Sequence, residues 1–175
     1  MPSFAGNYPF GLRDVKVMRF SGAPAQVDLP AATQLSFALR MVNAELRGDD
    51  AVVAVAAYTD AVEFSLEAGG IDLDAYGMIV GSTVVTSGTT PTRTYTLSGA
   101  AGTCMPWLKI YGKAVGDDCT SDIHVKLLKA KVTSLEGRFQ DGEFYVTSCT
   151  GIAIDGGSGI WQFVQNETAA GLPAS

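Results

Sequence analysis

Residues 33–68 read TQLSFALRMVNAELRGDDAVVAVAAYTDAVEFSLEA, and this stretch decides the fold. Apolar and polar residues alternate from 33 to 47 and again from 51 to 68, with the turn residues RGDD at 47–50 between the two runs. Alternation with a period of two is typical of β-strands, whose successive side chains point to opposite faces. Two runs of this length predict a β-hairpin longer than a sandwich of this size needs, so we expect it to project from the body.

The rest of the chain predicts short strands separated by turns, and one helix. Asp72 can cap a helix whose apolar stripe is Leu73, Tyr76 and Val80, and Gly81 can end it. Further strands are predicted at 13–20, 83–87, 92–98, 107–114, 122–133, 134–140, 143–150 and 159–165. This pattern indicates an all-β fold, a two-sheet β-sandwich or barrel with one short flanking helix and the long projecting hairpin.

A second hairpin is predicted at residues 135–146, LEGRFQDGEFYV. Asp141 and Gly142 are typical of a type I′ turn, in which both central residues take positive φ angles. The two faces of this hairpin differ in polarity. The apolar face carries Leu135, Phe139, Phe144 and Val146, and the polar face carries Glu136, Arg138, Gln140 and Tyr145.

The length of 175 residues predicts a single domain, with residues 1–12 as an N-terminal arm and 166–175 as a flexible C-terminal tail. The formal net charge is −6, from 12 Lys and Arg against 18 Asp and Glu. An acidic balance argues against a protein that grips nucleic acid, because that affinity rests mainly on Lys and Arg neutralising phosphates.

Three widely spaced cysteines fit neither a disulfide framework nor a zinc site, which points to a reducing compartment. They are Cys104, Cys119 and Cys149. The N-terminus has no basic flank followed by an apolar stretch, and no run approaches the roughly 20 apolar residues that span a bilayer. We therefore expect a protein made in a cytoplasm, with no signal peptide and no membrane partner.

Nothing in the sequence predicts an enzyme. His124 is the only histidine, and we expect it at a polar strand position facing solvent. Glu63 and Glu67 resemble paired glycosidase carboxylates, but a sugar site usually has exposed aromatic residues, and we expect both tryptophans, Trp107 and Trp161, in the core. The Asp pairs at 49–50 and 117–118 are explained by turns, so we expect no catalytic, cofactor or metal site.

Taken in order, several segments make the chain resemble the major tail tube protein of long non-contractile-tailed (siphovirus-like) bacteriophages. They extend across nearly the whole chain, and the ordered set is more specific than any one segment. The segments are YPFGLRDVKV (8–17), VDLPAATQLSF (27–37), AELRGDD (44–50), AVEFSLEAGGIDL (61–73), SGTTPT (87–92), LKIYGKAVGD (108–117), HVKLLKAKVTSLEGRFQDGEF (124–144) and VQNETAA (164–170).

The resemblance implies a structural virion protein of the phage tail, assembled in the cytoplasm of the bacterial host. Hexameric rings would stack into a hollow tube, with strands from each subunit joining into a barrel that lines the lumen. The tube would conduct the phage DNA during ejection, so DNA passes through it without specific binding. The implied partners are further copies of the chain, the tape measure protein, the tail terminator, and the tail tip or baseplate proteins.

Charge and position give candidate residues for these roles. A wall rich in carboxylates lets DNA slide, so we expect Glu63, Ser65, Glu67, Glu136, Arg138 and Gln140 to line the lumen. The alternative is that these side chains face bulk solvent or pair between subunits. For ring stacking we expect the turn of the long hairpin to make contact, through Glu45, Arg47, Gly48, Asp49 and Asp50.

Two other functions stay open. A tail terminator or baseplate hub protein would share the fold but form a single ring. A β-sandwich carbohydrate-binding module would be monomeric and would need an exposed aromatic platform.

Overall fold

The structure is a computed structural model, and it describes residues 8–21, 26–29, 31–70, 72–117 and 119–173. Within these ranges the chain forms antiparallel β-structure with one short helix, as predicted. The elements are β1 (Pro9–Arg19), β2 (Gln26–Asp28), β3 (Ala32–Gly48), β4 (Ala51–Gly69), α1 (Leu73–Val80), β5 (Val85–Ser87), β6 (Thr94–Thr96), β7 (Leu108–Gly116), β8 (Asp122–Arg138), β9 (Val146–Ala153) and β10 (Trp161–Asn166).

One long strand, β8, belongs to two halves of the main sheet. Its segment from Asp122 to Ala130 pairs with β7 on one edge, and its first six residues pair with β10. Its segment from Ala130 to Arg138 pairs with β9. We call β2, β1, β7, the start of β8 and β10 the first half-sheet. The second half-sheet is the end of β8 followed by β9, β4 and β3.

The two half-sheets face each other across one hydrophobic core. Val15 and Val17 of the first half-sheet share a buried cluster with Val62 and Phe64 of the second. The layers approach closely at Gly112, where an added Cβ would lie 2.5 Å from the Cδ2 atom of Leu35. The two-layer sandwich is therefore confirmed, and a single hydrogen-bonded sheet supplies both layers.

The break predicted between strands 122–133 and 134–140 is wrong, because β8 runs without interruption to Arg138. A β-bulge lies between Val132 and Ser134, where one extra residue shifts the register against β9. A bulge bends a strand and increases its twist without ending the pairing. A second irregularity, between Leu127 and Ala130 of β8 opposite Ile110 and Leu108, lies where β8 passes from β7 to β9.

Helix α1 begins and ends at the predicted residues. The Asp72 carboxylate accepts hydrogen bonds from the backbone N–H groups of Asp74 and Ala75, and Gly81 closes the helix with φ of 78°. At eight residues the helix depends on packing for its stability. Met78 and Ile79 supply that packing, since both are buried in the shared core.

The long hairpin projects from the body, as predicted. Beyond the pair Arg40 and Ala61, nearly every residue of β3 and β4 is exposed. Its turn places Asp49 and Asp50 at φ of 44° and 62°. Two consecutive left-handed residues in a two-residue loop are the signature of a type I′ turn, and Asp is one of the few side chains that tolerate this conformation.

The second hairpin exists, but its predicted turn is wrong. Strand β8 ends at Arg138 and β9 begins at Val146, so seven residues connect the two strands. Only Gly142 has a positive φ, of 77°, and Glu143 donates its N–H to the carbonyl of Gln140 at 3.3 Å. This is the geometry of a type II turn, in which only the second central residue is left-handed.

Part of each predicted loose end lies within the folded body. Strand β1 starts at Pro9, so only residues 1–7 of the predicted arm lie outside the described residues. The C-terminal segment 166–172 crosses the outer face of the first half-sheet, where Leu172 is buried against Met18 and Tyr111. Residues 174–175 lie outside the described part of the chain.

Candidate functional site: two charged outer faces

The outer face of the second half-sheet carries the predicted lumen residues of β4. Glu63, Ser65 and Glu67 alternate with buried Val62, Phe64 and Leu66, so they point away from the core. Glu67 pairs with Ser148 of β9, which in turn pairs with Glu136 of β8. The four predicted residues Glu63, Ser65, Glu67 and Glu136 thus share one surface, which we call the acidic face.

The other two lumen candidates lie at the margin of this surface. Arg138 is the last residue of β8, and its Nη2 atom lies 2.9 Å from the Oε2 atom of Glu143. Gln140 lies in the connection after β8 and donates from Nε2 to Oε1 of Glu143 at 3.2 Å. The positive charge of Arg138, which weakens a repulsive wall, is therefore compensated within the same hairpin.

Two unpaired strand edges bound the acidic face. In the described part of the chain, no strand pairs with the edge of β3 opposite β4. The edge of β8 opposite β9, over residues 131–138, is likewise unpaired among the described strands. Unpaired backbone edges favour pairing with another chain. These two edges lie on opposite sides of the same four strands.

The ring-stacking candidates lie together at the tip of the long hairpin. Glu45 and Arg47 form an exposed ion pair with a 3.7 Å separation, and Asp49 and Asp50 make the turn. Below the tip, one face of the hairpin is entirely apolar by its pairing pattern. That face consists of Val42, Ala44, Leu46, Ala54, Ala56 and Tyr58.

All six lysines of the sequence lie on the first half-sheet or where β8 leaves it. The six are Lys16, Lys109, Lys113, Lys126, Lys129 and Lys131, and all lie on the neighbouring strands β1, β7 and β8. Lys16, Lys109, Lys113 and Lys126 point outward from the first half-sheet, opposite its core residues. Lys131 lies in the row of Ile152 and Glu63, at the margin of the acidic face, and we call the surface formed by the other five the lysine face.

A buried ionic cluster holds the C-terminal segment onto the lysine face. Asp122 is fully buried, and its Oδ2 atom lies 3.0 Å from Nζ of Lys113 and 3.3 Å from Nε2 of His124. The same carboxylate accepts hydrogen bonds at 2.7 Å from the side chain of Asn166 and from the N–H of Ala170. One carboxylate therefore joins two strands of the sheet to the end of the chain.

The pKa of Asp122 reflects this arrangement. Burial raises the pKa, but the hydrogen bonds from Asn166, Ala170 and Lys113 and the nearby His124 outweigh burial and lower it to about 2. Hydrogen bonds and positive charges favour the ionised form of a carboxylic acid. Asp122 is thus ionised at every pH at which the protein is expected to work.

The solvent-facing position predicted for His124 is wrong. Its side chain is 4% exposed and lies against Asp122 beneath the C-terminal segment. Alternation places His124 on the outer side of β8, and the sequence of this strand gives no sign that a segment more than 40 residues later covers it. Burial here comes from tertiary contact that strand periodicity does not report.

Contrary to the expectation from the sequence, several aromatic residues are exposed. Phe139 and Phe144 are 79% and 95% exposed in the connection between β8 and β9, and Tyr8 and Phe10 are exposed at the start of β1. Phe139 lies 4.3 Å from Tyr145 between ring centroids, at an interplanar angle of 42°. Phe139 and Phe144, which the sequence predicts on an apolar face of the hairpin, therefore lie in solvent in this chain.

A small apolar cavity lies between α1 and the second half-sheet. Its volume is about 110 Å³, and its lining includes Leu29, Leu66 and Ile79. At its rim the hydroxyl of Tyr76 lies 2.5 Å from that of Tyr145 and 3.0 Å from that of Thr147. Burial raises the pKa of Tyr76, so these hydroxyls act as a neutral hydrogen-bonded link between helix and sheet.

The three cysteines are free thiols, two of them exposed and Cys149 buried. Burial raises the pKa of Cys149 to about 11, which keeps this thiol protonated and unreactive. No helix among the described residues is long and apolar enough to cross a membrane.

Comparison with known proteins gives likenesses to solved structures but no match of sequence family. No protein-family model matches the chain, and no curated protein matches it. A solved structure with a related fold is described as the cryo-EM structure of the anti-feeding prophage baseplate, symmetrised sixfold. The matched chain is 11% identical, the match covers 94% of this chain and 97% of that one, and the TM-score is 0.49. A likeness at this identity and score supports no functional assignment.

Proposed function

We propose that this chain is a structural, non-enzymatic virion protein that forms the tail tube of a phage. Copies assemble into hexameric rings, and the rings stack into a tube that conducts DNA during ejection. The observation that carries the proposal is the second half-sheet, in which four antiparallel strands have two free edges and one acidic outer face. The segment-by-segment resemblance described above points to the same role.

The strands at the two free edges run in opposite directions, as antiparallel pairing between copies requires. Each strand of the second half-sheet runs antiparallel to its neighbour, so β8 and β3, at opposite ends of a row of four, are also antiparallel. The free edge of β3 in one copy can therefore pair antiparallel with the free edge of β8 in the next. Such a contact is heterologous, and heterologous contacts that close generate rings. Closure removes every exposed edge of the wall.

The strand count gives the ring a wide bore. Four strands from each of six copies make a barrel of 24 strands. Membrane barrels of about 16 to 18 strands already leave an aqueous channel, so a barrel of 24 leaves a wider one. With the hydrophobic core on the outside of this wall, the acidic face lines the channel.

An acidic lining suits passage of DNA. Six to ten matched phosphate contacts make binding strong and steeply salt-dependent, and a tube repeats any contact in every ring. Glu63, Glu67 and Glu136 instead repel phosphates over roughly the 8 Å screening length at physiological salt. The lining therefore keeps DNA from adhering, and its effect does not extend beyond the channel.

The long hairpin favours a stacked tube over the single ring of a tail terminator or hub. Its apolar face, from Val42 to Tyr58, needs cover, and closure of a ring leaves the projecting hairpin uncovered. A second ring can cover it, and repeated contacts between rings extend the assembly into a filament. In the tube, the tape measure protein, the terminator and the tail tip proteins would contact the lumen and the two ends.

Electron microscopy of the purified full chain, concentrated with a crowding agent, tests the proposal. We expect hollow tubes, and reconstruction is expected to show β3 of one subunit beside residues 131–138 of the next. Closed single rings without stacking would favour a terminator or hub. Monodisperse monomers that bind a glycan array would instead favour a carbohydrate-binding module, with Phe139 and Phe144 as its aromatic contacts.

A further inference from the structure

Three lysines and two aromatic rings form a compact basic cluster where β8 passes between the half-sheets. The Nζ atoms of Lys109 and Lys129 lie 5.8 and 5.4 Å from the ring centroid of Phe20. Those of Lys129 and Lys131 lie 4.9 and 5.0 Å from the ring of Trp107. We call these five residues the basic–aromatic cluster.

The positive charges of this cluster have no carboxylate to pair with among the described residues. Lys16 and Lys113, by contrast, lie within 3.3 Å of Asp28 and Asp122. The acidic residue that follows β9, Asp155, accepts hydrogen bonds from its own loop, from the N–H groups of Gly157 and Gly159. Like charges held close together repel, so the cluster favours an anionic occupant.

We infer that the basic–aromatic cluster of one copy receives the acidic hairpin tip of another copy. This inference rests on the proposed stacking of rings and names the receiving surface. The tip carries Glu45, Asp49 and Asp50 against the single positive charge of Arg47, a net charge of −2. The tip is acidic and the cluster is basic, so the two surfaces are complementary in charge.

The hairpin has the length to make this contact. Eight residues of β3, from 41 to 48, extend beyond the pair Arg40 and Ala61. At about 3.3 Å per residue they reach roughly 26 Å beyond the body. The tip therefore lies well clear of its own half-sheets and is presented to a neighbouring copy.

The aromatic rings prepare the lysines for this role. Cation–π contacts hold the ammonium groups over Phe20 and Trp107, so less side-chain freedom is lost when carboxylates dock. Charged contacts of this kind fix register and partner choice more than they add affinity. The cluster would set which surface of the next ring the hairpin meets, while the apolar face below the tip supplies buried area.

A charge-exchange experiment on the full chain tests the inference. One variant, K129E/K131E, reverses the cluster. A second, E45K/D49N/D50N, changes the charge of the tip from −2 to +2, and the two Asp of the turn become Asn, which also tolerates positive φ. A third chain carries both sets. The matched control is K126E, which reverses a lysine that lies over Tyr111 on the same side of the molecule but outside the cluster.

The measurement is the critical concentration for tube formation at low and physiological salt, with melting temperature as the check on folding. Exposed ion pairs contribute modestly, so we expect each single-surface variant to raise the critical concentration about threefold to tenfold. The variant with both sets of substitutions should have a critical concentration within about twofold of the wild-type value. The critical concentration of K126E should equal that of the wild type.

The failures of the two proposals are distinguishable. If the wild type forms tubes and the folded single-surface variants form them equally well, this inference is wrong and the tube function stands. A combined chain that assembles worse than either variant would also contradict it. If K129E/K131E abolishes retention on duplex DNA without changing assembly, the occupant is nucleic acid and the inference is overturned. A wild-type chain that never polymerises contradicts both.

Discussion

The two outer faces of this molecule are built on one continuous sheet, yet they carry opposite charge and different cover. No described segment crosses the acidic face of the second half-sheet. Its glutamates lie on β4 and β8, on either side of β9. The lysine face belongs to β1, β7 and β8 and is partly crossed by the segment 166–172. Most of the lysines and the carboxylates of the acidic face therefore lie on different outer faces, with Lys131 in the row of Glu63 as the exception.

The difference teaches that a net charge is a poor guide to a contact surface. Repulsion between identical acidic chains would oppose assembly if their carboxylates were spread evenly. In the proposed tube, the carboxylates of Glu63 and Glu67 would face the bore, while the lysines of the first half-sheet would face outward or toward a neighbour. Each of the following changes alters one face and leaves the other intact.

The largest effect is expected where the lysine face is anchored. Replacing Asp122 with Ala removes the carboxylate shared by Lys113, His124, Asn166 and the backbone of Ala170. Breaking a buried ionic cluster by removing one partner costs about 3–5 kcal/mol of unfolding free energy. Urea unfolding measures this loss, and carboxypeptidase should digest the released C-terminal segment faster. A loss below about 1 kcal/mol would show that the cluster contributes little to stability.

The next effect concerns the acidic face. In tubes carrying E63K/E67K, each hexameric ring replaces 12 glutamates with 12 lysines, two in each of six subunits. We expect DNA to bind these tubes at least about a hundredfold more tightly at 50 mM than at 200 mM salt, and genome passage to stall. Co-sedimentation of tubes with duplex DNA measures the binding. Tubes carrying Ser65→Thr are the neutral control, and unchanged DNA binding by E63K/E67K would contradict the lumen assignment.

Stability at low pH distinguishes the anchored face from the bare one. The pKa of Asp122 is about 2 in the folded protein, below the ordinary 3.8, because hydrogen bonds and positive neighbours outweigh burial. A depressed pKa contributes stability that is present above pH 3.8 and is lost as the pH falls through 2. We expect the wild type to lose about 2–3 kcal/mol from this group over that window. The Asp122→Asn variant lacks this titration, so parallel pH profiles of the two proteins would contradict the assignment.

The smallest effect on stability is expected at the ion pair between Lys16 and Asp28. Lys16 and Asp28 are separated by 3.3 Å, and the Asp28 side chain is 64% exposed. Exposed ion pairs contribute about 0–1 kcal/mol, so Asp28→Ala should change the urea midpoint little. Together with Asp122→Ala, this substitution separates the effect of burial from that of charge on the same face. A loss of unfolding free energy as large as that of Asp122→Ala would contradict the expectation that burial makes the difference between the two ion pairs.

Features that depend on neighbouring residues could be predicted from the sequence. The caps of α1, Asp72 and Gly81, act within one turn of the helix, and the alternation around Glu63 and Glu67 fixes which side chains share a face. The long hairpin follows from the same alternation. These predictions need no knowledge of what packs against each element.

The turns show where local reasoning fails. Asp141 and Gly142 fit the preferred type I′ sequence but adopt a type II turn, whereas Asp49 and Asp50 form the type I′ turn without glycine. The difference lies in strand pairing: β3 and β4 pair up to Gly48 and Ala51 and leave two residues, while β8 and β9 stop pairing earlier. The register between strands, which the turn sequence alone does not give, selects the turn.

Long-range contacts account for the remaining errors. His124 is buried by a segment that follows β10, and β8 continues through Thr133 because a bulge accommodates the extra residue. The grouping of the lysines was visible in the sequence, since all six fall in the segments that form β1, β7 and β8. Their common surface became apparent only with the pairing of those strands.

The passage of β8 through both half-sheets has a mechanical consequence. A pull on the wall of a tube would be carried into the outer layer along an unbroken peptide backbone and its ladder of hydrogen bonds, with no flexible linker to absorb it. Inner and outer layers of each subunit would then shift together under load. Bending of a filament built this way would be confined to the joints where one ring meets the next.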